Sequence, residues 1–134
     1  MGNCEQKSGL TMIEAPFQKF LRVYAKNEVV FTENSPGKEM FIVYSGKVNL
    51  YKERQNKKAL LVTVAPGEFF GEMALVDGSP RSATAMAAED SQLIVLDEPK
   101  FIYLLRQQPE FALVVMQRLC EMLRRTTEEW ADEN

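Results

Sequence analysis

From about residue 20 the apolar residues recur with a period near two. Leu21-Arg22-Val23-Tyr24, Val29-Val30-Phe31, Met40 to Tyr44, Val48 to Tyr51 and Leu60 to Val64 are rich in β-branched and aromatic residues. Such residues suit a pleated, half-buried surface. Turn formers separate these runs: Lys26-Asn27, Asn34-Ser35-Pro36-Gly37, Ser45-Gly46, Gln55-Asn56 and Pro66-Gly67. Ala83 to Ala87 and Leu93 to Leu96 supply two more strands around the acidic turn Glu89-Asp90-Ser91. About eight short strands at this spacing predict an antiparallel sandwich or barrel of jelly-roll type.

Both ends depart from that period. Residues 1–10 are polar and unpatterned and read as a disordered tail. Thr11 to Lys19 predicts a short helix with an apolar stripe of Ile13, Phe17 and Phe20, limited by Pro16. Near the other end, Asp97 caps a helix with Pro99 in its opening turn, running to about Gln107. Pro109 then opens a long helix, about Glu110 to Trp130. Its apolar residues form two seams, Leu113, Met116, Cys120, Leu123 and Trp130 on one, Ala112, Val115, Leu119 and Met122 on the other. Arg118, Glu121, Arg125 and Glu128 hold the remaining, polar face. A helix lying on one barrel needs a single seam. Two seams predict a second apolar partner, most simply the same helix of another copy, so a homodimer through about residues 110–130 is expected.

The fold expected is thus mainly β with flanking helices: an eight-stranded antiparallel jelly-roll barrel, a short N-terminal helix and two C-terminal helices. Residues 11–134 form one domain, with the barrel at about 20–96 and the C-terminal helices at about 97–130. The length of 134 residues fits one such core. A net charge of −3 argues against general nucleic-acid binding, and Lys52, Arg54, Lys57 and Lys58 read as a solvated hairpin tip. Two cysteines, Cys4 and Cys120, and no histidine exclude a usual zinc site. Cys120 reads as a small buried apolar residue. No segment is apolar enough to span a bilayer and no leader pattern is present, so the expected compartment is the cytoplasm. Met1-Gly2-Asn3-Cys4 raises N-terminal lipidation, but Gln6 stands where the myristoylation pattern has Ser or Thr.

The chemistry concentrates in Phe69-Phe70-Gly71-Glu72-Met73-Ala74-Leu75 and Ser79-Pro80-Arg81-Ser82-Ala83-Thr84-Ala85. One acid and one arginine stand within a run of small residues. The guanidinium fork suits a phosphate, to which it can donate two parallel hydrogen bonds. Small residues allow close backbone approach, and a short helix starting near Glu72 aims free N–H groups at the same charge. Glu72 would repel a phosphate, so its role is to accept from hydroxyls, as on a ribose. Phosphate plus ribose, without a Gly-Lys-Ser/Thr signature, points to a nucleotide monoester or cyclic ester.

Gly71-Glu72-Met73-Ala74-Leu75 with Pro80-Arg81-Ser82-Ala83-Thr84 resembles the phosphate-binding cassette of cyclic nucleotide-binding domains, and the likeness runs from about Phe20 to Trp130. That family includes the cAMP receptor protein, kinase regulatory subunits and gated channels. The resemblance implies that Glu72 takes the ribose 2′-hydroxyl and Arg81 the cyclic phosphate. The backbone N–H groups of Ala74, Ser82 and Ala83 would complete the cradle. Gly71, Met73 and Val62 join the expected binding set. An ungapped count from Arg81 puts Thr126 and Thr127 where the cAMP receptor protein has its adenine-contacting hydroxyls, with Trp130 or Leu123 covering a base face. The ligand implied is cAMP, because Ser82 and the Thr126-Thr127 pair match a cAMP binder. The Ser82 hydroxyl keeps cGMP as the alternative. No metal or other cofactor is expected.

The resemblance also implies that the terminal helix moves when ligand binds, making the chain a non-catalytic sensor. An enzyme lacks support, since there is no histidine, no Gly-x-Ser-x-Gly elbow and no second acid near Glu72. The other reading is a ligand-free dimerisation or docking module of the same fold, against which the intact Glu72 and Arg81 argue. Transcriptional relatives carry a winged helix-turn-helix after the long helix, and channels carry membrane helices before the barrel. Neither is present in these 134 residues. The expectation is a receptor that signals to an unknown effector protein, or a sensor cut from a longer chain.

Overall fold

A computed structural model describes residues 20–133, the side chains of Met122 and of 126–133 excepted. The expected tail, the N-terminal helix at 11–19, and the side chains of Thr126, Thr127 and Trp130 therefore lie outside the described residues. Among the described residues there are eight strands: β1 (Leu21–Tyr24), β2 (Val29–Phe31), β3 (Met40–Ser45), β4 (Val48–Arg54), β5 (Lys57–Val64), β6 (Phe69–Phe70), β7 (Thr84–Ala87) and β8 (Ser91–Leu96). Three helices accompany them there: α1 (Glu72–Asp77), α2 (Glu98–Gln107) and α3 (Glu110–Glu133). The strands form two four-stranded sheets, β1-β8-β3-β6 and β2-β7-β4-β5, and every pairing is antiparallel. This is the mainly β, jelly-roll architecture that the spacing of the strands predicts.

The period of two explains how one barrel carries two cores. Successive side chains of a strand point to opposite faces. On β3, Phe41 and Val43 point inward, where they meet Val48, Val64, Phe70, Ala85, Leu93 and Val95. Met40 and Ile42 point outward to a second cluster with Phe69, Ile94, Leu96, Leu104 and Phe111. That outer cluster is roofed by the C-terminal helices. β3 thus has four consecutive buried residues, Met40 to Val43, which a sheet with one wet face does not show.

The helix signals act as expected. The Asp97 carboxylate accepts from the Lys100 backbone N–H at 3.0 Å, and Pro99 occupies the first turn. Leu104 of α2 is fully buried, and Phe111 in the first turn of α3 packs edge-on to Phe101 at 6.2 Å. Val115 adds the last partly buried contact of α3 with that cluster. Beyond it the helix presents apolar residues outward.

One expectation on α3 needs correction. Cys120 is exposed, not a buried apolar residue, because this part of the helix has no packing partner among the described residues. Arg118, half-buried, and Arg125, exposed, lie on the polar face and line the cavity described below.

The basic hairpin is a two-residue turn. Gln55 and Asn56 take φ values of 55° and 66°, as the right-handed twist of the flanking strands requires. Its cations are partly tied down: Lys52 and Arg54 reach the Glu33 carboxylate at 3.7 and 3.8 Å, and Lys58 lies 5.5 Å from the Tyr51 ring. No helix among the described residues is long and apolar enough to cross a membrane.

Candidate functional site

The loop between β6 and β7 turns back into the barrel mouth because its anchors are backbone groups. Arg81 N–H donates to the Ser35 carbonyl at 2.9 Å, and its own carbonyl accepts from Asn34 N–H at 2.7 Å. Upstream, Gly71 enters α1 with φ of 81°, a conformation that only glycine adopts without strain. Asp77 at the other end of α1 accepts from the Ser79 N–H at 2.9 Å and its hydroxyl at 2.6 Å. These bonds hold the Asp77 carboxyl below its ordinary pKa.

Arg81 is the odd residue of the interior, a guanidinium only 5% exposed. Two aromatic rings make its floor, and a third backs them. Its central carbon lies 4.2 Å from the Phe31 centroid and 5.7 Å from that of Phe41, and Phe41 stacks on Phe70 at 5.2 Å. Nη1 donates to the Glu39 carbonyl at 2.8 Å and to the Gly71 carbonyl at 3.3 Å, while Nε is buried with no acceptor. No carboxylate forms an ion pair with Arg81 among the described residues. Burial lowers its pKa, opposed by the charge of Glu39. A desolvated cation lacking a full counter-charge is expensive in a protein interior, and an anion arriving there removes that cost.

Glycine makes this position possible. A Cβ on Gly37 would stand 2.5 Å from Arg81 Nε and Nη2, closer than any real side chain tolerates. On Gly71 a Cβ would stand 3.0 Å from Nη1. The guanidinium is therefore slotted between two glycine backbones and an aromatic face.

Beside it opens a cavity of about 200 Å³. The barrel contributes Phe31, Leu50, Val62 and Val64, and the cassette contributes 69–74 and 80–83. Eight of the ten residues singled out in the sequence, namely Val62, Gly71, Glu72, Met73, Ala74, Arg81, Ser82 and Ala83, line this one space. The other two, Thr126 and Thr127, have side chains outside the described residues.

Helix α3 closes the cavity with Arg118 and Arg125, which the sequence pattern placed on its polar face without a role in the site. They are seven residues apart, two helical turns, so they share a face. That spacing was the available signal. Arg118 Nη1 lies 3.6 Å from Glu121, and its Nε is buried with no acceptor. Glu72 faces this helix. Its burial raises its pKa, while bonding to its own backbone N–H and the charge of Arg118 act in the opposite direction.

The cavity thus offers a buried cation at one end, a carboxylate beside it and an apolar wall of Leu50, Val62 and Val64. No group of three or more potential metal ligands occurs among the described residues.

Comparison with known proteins agrees with this geometry. A family described as "Cyclic nucleotide-binding domain" matches residues 21–108. A cyclic AMP receptor protein of Thermus thermophilus is 35% identical over 104 residues, covering 77% of this chain and 48% of that protein. The crystal structure of the Thermus thermophilus catabolite activator protein superposes with a TM-score of 0.77 at 32% identity, over 91% of this chain and 61% of that one. A structure reported for a cyclic-GMP-dependent bacterial signalling pathway superposes with a TM-score of 0.66 at 31% identity, over 81% of this chain and 89% of that one. The chain spans about half the length, or less, of the curated relatives it matches. With a profile match running from β1 through α2, the chain belongs to the cyclic nucleotide-binding domain family.

Proposed function

We propose that the chain is a non-catalytic receptor module for a 3′,5′-cyclic purine nucleotide. One observation carries this reading: Arg81 and Glu72 line the same small cavity, the first a buried cation without a carboxylate partner and the second a half-buried acceptor. The phosphate is assigned to Arg81 and the backbone N–H groups of Ala74, Ser82 and Ala83, and the ribose 2′-hydroxyl to Glu72. Val62 packs on the base, and Thr126 and Thr127 are assigned to its edge. The relatives' names bring cAMP first and cGMP second. Isothermal calorimetry with both tests the reading, and heat-silent titrations at millimolar ligand would refute it. Recovery of intact nucleotide after prolonged incubation checks the absence of catalysis.

The raised pKa of Glu72 gives this assignment a pH signature. Glu72 holds its proton more tightly in the fold than in the unfolded chain. Its contribution to stability is therefore present below the ordinary value of 4.5 and is lost as pH rises through the raised value. At neutral pH the ionised acid mildly destabilises the empty protein and serves only the ligand. Glu72→Gln is expected to keep or slightly raise the melting temperature at pH 7. It should weaken nucleotide binding roughly 10- to 100-fold, the worth of a hydrogen bond to a charged acceptor. Parent affinity should fall as acidification carries the pH down through that raised value, while that of the Gln variant stays flat. Parallel pH profiles would remove Glu72 from the site.

Signalling is assigned to α3. It contributes two walls of the cavity through Arg118 and Arg125, so ligand that binds one helix position better than another shifts the helix population. The outward face carries Leu113, Met116, Cys120 and Leu123 at alternating steps of three and four, the spacing of a coiled-coil seam, and the first two are more than half exposed. This face is assigned to a homodimer contact. Sedimentation of the parent chain as a dimer, and of Leu113→Glu/Met116→Glu as a monomer, is the expected result. A parent monomer at tens of micromolar would overturn it. Cytoplasmic action on another protein fits such a module.

A further inference from the structure

We propose that Arg22 acts on the anion site from behind: it holds the Glu39 carboxylate, keeps that acid from becoming the resting counter-ion of Arg81, and so leaves Arg81 open to a phosphate. The inference rests on the receptor reading above and adds a positioning pair to it.

Strand alternation brings the pair together. Phe41 of β3 and Tyr24 of β1 both belong to the inner cluster. Glu39 and Arg22 stand two residues before them, on the same sides of their chains. There they meet, Arg22 Nη2 lying 3.8 Å from Glu39 Oε2. Arg22 Nη1 donates to the Tyr24 hydroxyl at 3.2 Å. Tyr24 is buried, so this bond ties the exposed guanidinium to the core and fixes where it sits.

Glu39 thus serves two arginines with different groups. Its carbonyl accepts from Arg81 Nη1 at 2.8 Å, and its carboxylate is given to Arg22. The charge of that carboxylate nevertheless reaches Arg81 and favours its protonated form. Arg81 Nε, meanwhile, stays buried with no acceptor. The residue bonded to Arg81 through its backbone therefore carries an acid that could neutralise it, and this acid is turned to another cation. Freed from Arg22, the carboxylate would compete with a phosphate for the guanidinium and repel it. The Arg22 and Glu39 side chains are 53% and 39% exposed, so their pairing adds little to folding stability. What it controls is the direction of one negative charge beside the anion site.

The test is calorimetric titration of the whole chain with cAMP and cGMP. The proteins are the parent, Arg22→Gln, Arg22→Lys, Glu39→Gln and the double variant Arg22→Gln/Glu39→Gln, with thermal denaturation confirming that each is folded. Arg22→Gln is expected to weaken binding roughly two- to fivefold, the size of a partly exposed charge pair. Arg22→Lys should restore most of that loss. Glu39→Gln keeps its carbonyl and should bind at least as tightly as the parent. In the Glu39→Gln background, Arg22→Gln should cost nothing further, because the acid it restrains is gone. An equal loss from Arg22→Gln in both backgrounds overturns the proposal, since Arg22 would then act through its own charge or its packing. Weaker binding by Glu39→Gln overturns it too, by making the carboxylate a support of the site. So does unchanged affinity in Arg22→Gln. Receptor function survives each of those three results. Failure of both nucleotides to bind the parent refutes the receptor reading itself and this inference with it.

Discussion

Arg81→Ala is expected to weaken cyclic-nucleotide binding by about 2–5 kcal/mol, a loss of roughly 30-fold to several thousandfold. The size follows from what the substitution leaves behind. A phosphate drawn into the slot between Gly37, Gly71 and the Phe31 ring would be desolvated with no counter-charge. The empty protein responds differently. Removing the guanidinium releases a buried cation, which stabilises, but leaves the Glu39 and Gly71 carbonyls without their donor and a void over Phe31. These changes oppose each other, so the melting temperature should move far less than the affinity. Arg81→Lys keeps the charge and loses the fork, and should recover only part of the binding. Calorimetry beside thermal denaturation separates the two quantities. Unchanged affinity in a folded Arg81→Ala protein would contradict the phosphate assignment.

Phe111→Ala is expected to cost about 3–5 kcal/mol of folding stability, within the range for deleting a buried aromatic side chain. Phe111 is 3% exposed and joins Leu104, Leu96 and Ile94 in the cluster under the C-terminal helices. It is the first firm contact of α3. Its loss should shift the urea midpoint and also free the helix that carries Arg118 and Arg125. Nucleotide affinity should then fall less than stability, because the cassette and its aromatic floor belong to the barrel. A stability change under 1 kcal/mol would mean that α3 is held by something other than this cluster.

Much of this architecture was legible in the chain, for identifiable reasons. Strand positions followed from alternation, and α2 began where Asp97 and Pro99 announced it, since cap and first-turn preferences are local. β6 was not assigned, because the pair Phe69–Phe70 is too short for any period to register. The cassette was readable because its residues are close in sequence as well as in space.

What escaped was whatever depends on a neighbour distant along the chain. Gly37 reads as a turn glycine; that it makes room for Arg81 requires knowing that the two loops meet. Periodicity placed Arg118 and Arg125 on one face of α3 and could not say that this face looks into a cavity. Cys120 failed for the opposite reason. Average burial of cysteine is a property of many proteins, whereas the accessibility of this thiol depends on where α3 leaves the barrel.

The four consecutive inward- and outward-packed residues of β3 have an evolutionary corollary. Met40, Phe41, Ile42 and Val43 have no wet side on which a hydrophilic replacement could be harmless. Homologous sequences can drift there only by exchanging one greasy residue for another of like volume. The segment from 40 to 43 should thus change in character more slowly than strands such as β5, whose side chains, Val64 apart, remain in contact with water.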